Sequence, residues 1–227
     1  MIQRIFMVCV FLLFICVSSA TARDVIEKVS VNEAFEFEQV KELFAAIDLT
    51  TSSGILHNAL LITFFMTGMR KNEVLQLKRC DYKQVNDYHI FEFIGKGAKV
   101  GQKLVHPLCV DAIEKYLDHM SSIGRKHHPQ DWLFQPTRNP ANPNNLNKPL
   151  NPKTINEILD FYAKKIALPF KISPHSARAT FIGQLLEMGT DIYKVAREVN
   201  HSSVKTTQEY DKRRRKIADS AVFDLKY

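Results

Sequence analysis

The sequence predicts a mainly helical domain with one small antiparallel β-ribbon, an α+β class. Three observations predict it. Apolar residues recur at helical spacing through most of the chain, as at Ile113, Tyr116, Leu117 and Met120. One segment, Tyr88 to Ile94, is instead rich in aromatic and β-branched residues and has a return partner shortly after it. There is no internal repeat and no Gly-rich phosphate loop, and the rest of the body reads as helical.

The elements follow in order. Phe37 to Ile47 is a charged amphipathic stretch and reads as a helix. Ile55 to Met66 is strongly apolar, holds no Pro, and is long enough to be a buried helix rather than a strand. Thr67-Gly68 stops it, because Gly readily takes the left-handed cap conformation. Lys71 to Leu77 resumes as a short helix. Asn86-Asp87 is a turn signal before the strand Tyr88 to Ile94, Gly95-Lys96-Gly97 makes the next turn, and Lys103 to Leu108 is the expected returning strand. A helix carrying Ile113 to Met120 comes next. Pro136 to Pro152 holds five Pro and six Asn and is a long surface loop. Ile155, Ile158, Leu159, Tyr162 and Ile166 mark another helix. Ser173-Pro174 is a helix start, Ser as N-cap and Pro at the first helical position, and Gly189 ends that helix after Met188. Asp191 to Val199, Val204 to about Lys212, and Ile217 to Leu225 are the expected last helices.

Composition narrows the function classes. The chain has 227 residues, 31 Lys plus Arg against 24 Asp plus Glu, and a formal charge of +7. A hydrophobic fraction of 45% excludes disordered and collagen-like classes. The basic balance favours an acidic partner, nucleic acid above all. Cys9, Cys16, Cys80 and Cys109 show no CxxC pairing, so neither a zinc site nor a disulfide scaffold is indicated. The front of the chain has a different character. Ile5 to Val17 is an unbroken apolar run after Arg4, followed by Ser18-Ser19-Ala20-Thr21-Ala22, the pattern of a secretory signal peptide. It is too short to span a bilayer, which needs about 20 residues, so membrane association is not expected. The expected organisation is a signal-peptide-like or spurious segment over 1–22, a linker over 23–34, a catalytic domain over 35–215 and a tail over 216–227, which could dock on a neighbouring subunit.

Basic residues stand at helix starts and turns in an ordered series. Arg70 lies past the Gly68 break, with Glu73 three residues on and sharing its helical face. Lys96 sits at the ribbon tip. His175 and Arg178 are three apart near a helix N-terminus, where the dipole favours phosphate. His201 follows a helix, and Tyr210 comes nine residues later. Arg forks bind non-bridging phosphate oxygens bidentately, and a tyrosine can serve as nucleophile. The set suits phosphoryl transfer, and nothing in it resembles a metal-binding carboxylate cluster. Further DNA-binding candidates are Lys99 and Lys103 on the ribbon, and Lys212, Arg213, Arg214 and Arg215 in the basic run after the tyrosine.

Four segments carry a resemblance. Thr67 to Leu77, TGMRKNEVLQL, resembles the first arginine box of the tyrosine recombinases, the phage integrase family. Gly95-Lys96-Gly97 with Val105-His106-Pro107-Leu108 resembles their β-ribbon lysine segment. Pro174 to Phe181, PHSARATF, resembles the HxxR box, and Asn200 to Tyr210, NHSSVKTTQEY, the terminal box with its nucleophile. The resemblance covers roughly residues 35 to 215. Asn200 stands where the family usually has Gly, and Ala179 where a His is common.

The resemblance implies a site-specific DNA recombinase. Tyr210 would attack a DNA phosphate and form a 3′-phosphotyrosine, for integration, excision or inversion. His175 would move the proton, Arg70 and Arg178 would hold the pentacovalent phosphate, His201 would donate to it, and Lys96 would protonate the leaving 5′ oxygen. Glu73 would hold the site in shape. The implied partners are double-stranded DNA, further copies of the chain on paired sites, and accessory DNA-bending proteins. Neither metal nor ATP is implied, because the covalent link keeps the phosphodiester energy. A DNA recombinase belongs in the cytoplasm, and export is the alternative if 1–22 acts as a signal peptide. Two other readings are a truncated remnant with weak or no DNA binding, and a type IB topoisomerase-like strand transferase. Only 69 residues precede Arg70, whereas most relatives carry a helical DNA-clamp domain of about a hundred residues there.

Overall fold

The computed structural model of the chain describes residues 34–95, 100–137 and 146–211. The expected segment 1–22, the linker up to residue 33, the tail 216–227 and the helix Ile217 to Leu225 lie outside the described residues.

Helix α1, Phe37–Ala45, lays Leu43 into the core, and the chain before it is pinned by the Phe35 N–H donating to Thr180 Oγ1 at 2.7 Å. Helix α2, Ser52–Thr67, is the central element. Thr51 caps its start by accepting from the Gly54 N–H at 3.0 Å. Its Leu56, Leu60, Leu61, Phe64 and Phe65 are buried on several sides at once, which is why it reads as apolar all round. It ends at Gly68, with φ of 60°, whose N–H donates to the Phe64 carbonyl at 3.1 Å. Helix α3, Lys71–Leu75, follows directly.

The sheet has three strands in the order β1-β2-β3: β1 Tyr82–Val85, β2 Tyr88–Ile94 and β3 Val100–Leu104, all antiparallel. Two features differ from the sequence expectation. Tyr82–Val85 adds a strand before the Asn86-Asp87 turn, where Asn86 takes φ of 53°. The returning strand spans Val100–Leu104 rather than Lys103 to Leu108. It stops early because Pro107 cannot extend a ladder and opens helix α4, Pro107–Ser122, with His106 as N-cap.

Helix α4 packs on α2, Tyr116, Ile113 and Met120 facing inward. Later in the chain come α5, Pro152–Lys165, α6, Pro174–Glu187, α7, Ile192–Glu198, and α8, Val204–Gln208, and residues 138–145 of the expected Pro/Asn-rich loop lie outside the described residues. Asn151, Ser173, Asp191 and Ser203 cap these helices through their side chains. The observed class is the one expected, mainly helical with a small antiparallel sheet.

Two apolar clusters divide the work. The large one joins α1 to α5 and the sheet. A smaller one, Ile182, Leu186, Val195 and Val199, joins α6 to α7, with Phe181 and Tyr210 packed against it. Among the described residues no helix is long and apolar enough to cross a membrane.

Gly68 is irreplaceable on two counts. Its φ is left-handed, and a Cβ there would stand 2.5 Å from Phe181 Cδ1. Gly68→Ala is expected to lower stability by about 2 kcal/mol or more, read as a lower urea midpoint at unchanged slope.

Candidate active site

Helix α6 sets the floor and one wall. Ser173 and Pro174 start it, so His175 lies in the first turn and Arg178 one turn in on the same side. His175 is exposed, while Arg178 is only 4% exposed and its charge faces inward. The Arg178 guanidinium donates to two main-chain carbonyls, Gly68 at 2.5 Å and Val199 at 2.6 Å. It thereby joins the end of α2 to the end of α7.

Arg70 is the N-cap of α3 and is held by Glu73. One carboxylate oxygen accepts from the Arg70 N–H at 2.8 Å and the other from its Nη1 at 3.0 Å. The same carboxylate thus caps the helix and aims the guanidinium. Nη2 of Arg70 reaches the Asn200 carbonyl at 3.4 Å.

His201 is presented by a tight turn at the end of α7. The Asn200 N–H donates to the Arg197 carbonyl at 3.1 Å and the His201 N–H to the Ala196 carbonyl at 2.9 Å. This paired arrangement needs a left-handed residue between, and Asn200 supplies it with φ of 53°. Asn tolerates that region better than other side chains, which accounts for Asn in place of the Gly usual in this box.

Nδ1 of His201 lies 2.8 Å from the hydroxyl of the fully buried Thr207. That hydroxyl can donate to Nδ1 and leave the proton on Nε2, facing out as a donor. Tyr210 follows the short α8, its ring stacked on His201 at 6.0 Å and 22° between planes. Its hydroxyl is 3.1 Å from His175 Nε2. Four expected groups on three helix ends therefore converge around one phenol.

Burial first, and then the neighbouring charges, set the protonation states. Burial is the largest influence on Tyr210 and raises its pKa, outweighing the pull of Arg178 and Arg70 in the other direction. The phenol is therefore protonated at neutral pH and needs a base in contact. Burial, then Arg178 and Arg70, lower His175, so it is neutral at pH 7 and can accept that proton. The same causes in the same order, with His175 added, bring His201 down to about 4. Burial, with the neighbouring Arg70 charge, brings Arg178 down to about 10, which still leaves it charged.

The other expected residues fall differently. Lys96 and Lys99, and Lys212, Arg213, Arg214 and Arg215, lie outside the described residues. Lys103, expected as a DNA-binding candidate, points inward. Strand pairing sets Lys103 opposite Phe91, on the buried face, and its side chain is 4% exposed. Its ammonium donates to the Glu198 main-chain carbonyl and reaches the Glu198 carboxylate at 3.0 Å. Sequence reasoning missed Thr207 and the carbonyl partners at Gly68, Glu198 and Val199, because neither a small hydroxyl residue nor a main-chain group carries a motif. Among the described residues no group of three or more His, Cys, Asp or Glu side chains is placed to hold a metal.

The profile of the phage integrase family matches residues 33–216, a span that holds every group of this site. The chain belongs to the phage integrase family. Within that family it is similar to the tyrosine recombinase XerC of Myxococcus xanthus, 31% identical over 177 residues, covering 75% of this chain and 56% of that protein. It is likewise similar to the tyrosine recombinase XerD of Listeria innocua, 26% identical over 186 residues, 80% of this chain and 58% of that one. The chain thus spans little more than half the length of these relatives. Among solved integrase-family structures, XerA recombinase superposes with a TM-score of 0.63 at 25% identity, over 81% of this chain and 61% of that one. XerH bound to its palindromic difH substrate in a post-cleavage complex superposes with a TM-score of 0.68 at 20% identity, over 86% and 54%.

Two outcomes are expected from the histidines. In an NMR titration of the DNA-free protein, His201 is expected to titrate near 4, and Arg70→Ala to move His175 and His201 upward together. Stability also depends on pH. His57, buried beside Tyr162, is likewise brought down to about 4. Both groups start from 6.5 in the unfolded chain, so as the pH falls the unfolded state binds the protons first. The melting temperature is expected to fall steadily from pH 6.5 to pH 4, and a flat profile there would contradict the assignment.

Proposed function

We propose that this chain cuts and rejoins DNA at specific sites through a covalent link between Tyr210 and a DNA 3′ phosphate. The observation that carries the reading is the Tyr210 hydroxyl at 3.1 Å from His175 Nε2, ringed by Arg70, Arg178 and His201. Membership of the phage integrase family supports it.

The chemistry follows from the protonation states. The phenol oxygen attacks phosphorus and its proton passes to the neutral His175. The P–O5′ bond breaks, and the leaving 5′ oxygen takes a proton, a role the family resemblance gives to Lys96. The pentacovalent phosphate carries extra negative charge, which Arg70, Arg178 and the outward Nε2–H of His201 stabilise. A bound phosphate also offsets the two arginines and raises the basicity of His175 when it is needed. Rejoining is the same sequence reversed, with another 5′ hydroxyl as the attacking group, so the high-energy link is never hydrolysed.

The partner is double-stranded DNA, which the +7 charge favours. Solved relatives described as bound to DNA include XerH on difH and a λ integrase dimer on a core site. By likeness to these, this chain works as two or more copies on paired sites. A cytoplasmic location follows from that substrate.

The test works whatever the target sequence is. The tagged chain is expressed in its host, the cells are lysed in hot SDS, and DNA that co-purifies is sequenced, with Tyr210→Phe alongside. DNA is expected only with the tyrosine present, and Arg178→Ala is expected to cut the yield by about a hundredfold or more. Recovery from neither form at good expression would favour a truncated remnant. Plasmid relaxation without recombinant products would favour topoisomerase-like chemistry.

A further inference from the structure

The end of α7 leaves three main-chain carbonyls to be satisfied. The paired turn at Asn200 and His201 uses the carbonyls of Ala196 and Arg197. The next three, Glu198, Val199 and Asn200, have no helical partner. Each takes a cation from a different part of the chain: Glu198 from Lys103 on β3, Val199 from Arg178 on α6, and Asn200 from Arg70 ahead of α3. The negative end of the helix dipole favours all three. Two of these cations belong to the phosphate site. Lys103 is the third.

We propose that Lys103, locked onto the carbonyl and carboxylate of Glu198, is a positioning residue that fixes the turn presenting His201. Nothing in the family resemblance gives it that part, and the proposal rests on the reading of His201 as a phosphate donor. Lys103 is too deep to meet DNA, at 4% exposure. Its surroundings are those of an anchor, with Glu198 and Glu73 as the neighbouring carboxylates and Arg178 as the neighbouring cation. Burial lowers the Lys103 pKa, and the bonded Glu198 carboxylate opposes that. The charges acting on His175, His201 and Tyr210 come from Arg70, Arg178, His175 and Glu209, and Lys103 is not among them. Removing Lys103 therefore changes the shape of the site while leaving the cations that tune it in place.

The consequence is mechanical. Glu198 is the last residue of α7, and His201 follows three residues later through the left-handed Asn200. Freeing the Glu198 carbonyl lets the turn pivot, so that His201 loses its fit against Thr207 and becomes better hydrated. The strand β3 is thus tied to the histidine across 95 positions of sequence.

The test uses the full chain. In Lys103→Met, the His201 titration measured by NMR without DNA is expected to rise from near 4 by about one unit or more, through hydration. Lys103→Arg, which keeps the charge and the donors, is expected to restore the low value. Glu198→Gln supplies a second variant should Lys103→Met fail to fold. Removing that carboxylate would by charge alone lower His201, so the smaller rise expected reports the geometry. Binding to an arbitrary duplex of about 40 base pairs is measured against salt in parallel, and its slope is expected to be the same in Lys103→Met as in the wild type. Covalent DNA capture in Lys103→Met is expected to fall by about a hundredfold. An unmoved His201 titration in the folded variants overturns the proposal. So does a salt slope lower by about one, which would place Lys103 on a phosphate. The titration requires no DNA, so absence of any adduct from the wild type would count against the recombinase reading alone.

Discussion

The site depends on the turn that ends α7. A helix of only seven residues has little stability of its own, and its last carbonyls are orphaned by geometry. Here those carbonyls are met by Lys103, Arg178 and Arg70, from segments far apart in the chain. The arrangement serves two ends. It closes the C-terminus of a weak helix, and it brings two arginines to one place without a carboxylate neutralising both. Main-chain carbonyls carry partial charges, so they hold a guanidinium in position while leaving its net charge intact for an anion. Glu73 faces Arg70 at 3.0 Å, and Arg178 has two carbonyls within 2.6 Å.

Burial supplies the rest of the chemistry. Several effects compete at Tyr210, and desolvation is the largest, so the phenol stays protonated in spite of two nearby guanidiniums. The same desolvation keeps His175 and His201 neutral. The resting site is thus a set of donors with one proton acceptor in contact with the Tyr210 phenol. The smaller apolar cluster makes this possible, since Tyr210 packs on Ile182, Leu186, Val195 and Val199 rather than lying in solvent.

Much of this was legible in the sequence. The Ser173-Pro174 helix start, the Gly68 stop and the i,i+3 pairing of Arg70 with Glu73 are local effects, and each is found where local rules put it. Asn200 looked like a departure and is explained by its left-handed backbone. The misses are non-local. Lys103 reads as a surface lysine until strand register turns it opposite Phe91, and its carboxylate partner lies 95 positions away. The returning strand ends early because Pro107 and His106 start a helix, a competition between two signals that overlap in sequence. Thr207 gives no sign of its role, because one buried hydroxyl matters only once His201 is set beside it.

The wiring of Arg178 bears on the order of assembly. Its two carbonyl partners lie 110 and 21 positions away in the chain, and the Arg70 to Asn200 contact spans 130. Contacts of such separation cost loop-closure entropy and need the intervening chain to be in place. The cations of the site therefore meet only when α2, α3, α6 and α7 have come together, and a nascent or partly unfolded chain lacks the assembled site. For a protein proposed to cut DNA, that makes tertiary completeness itself the safety catch.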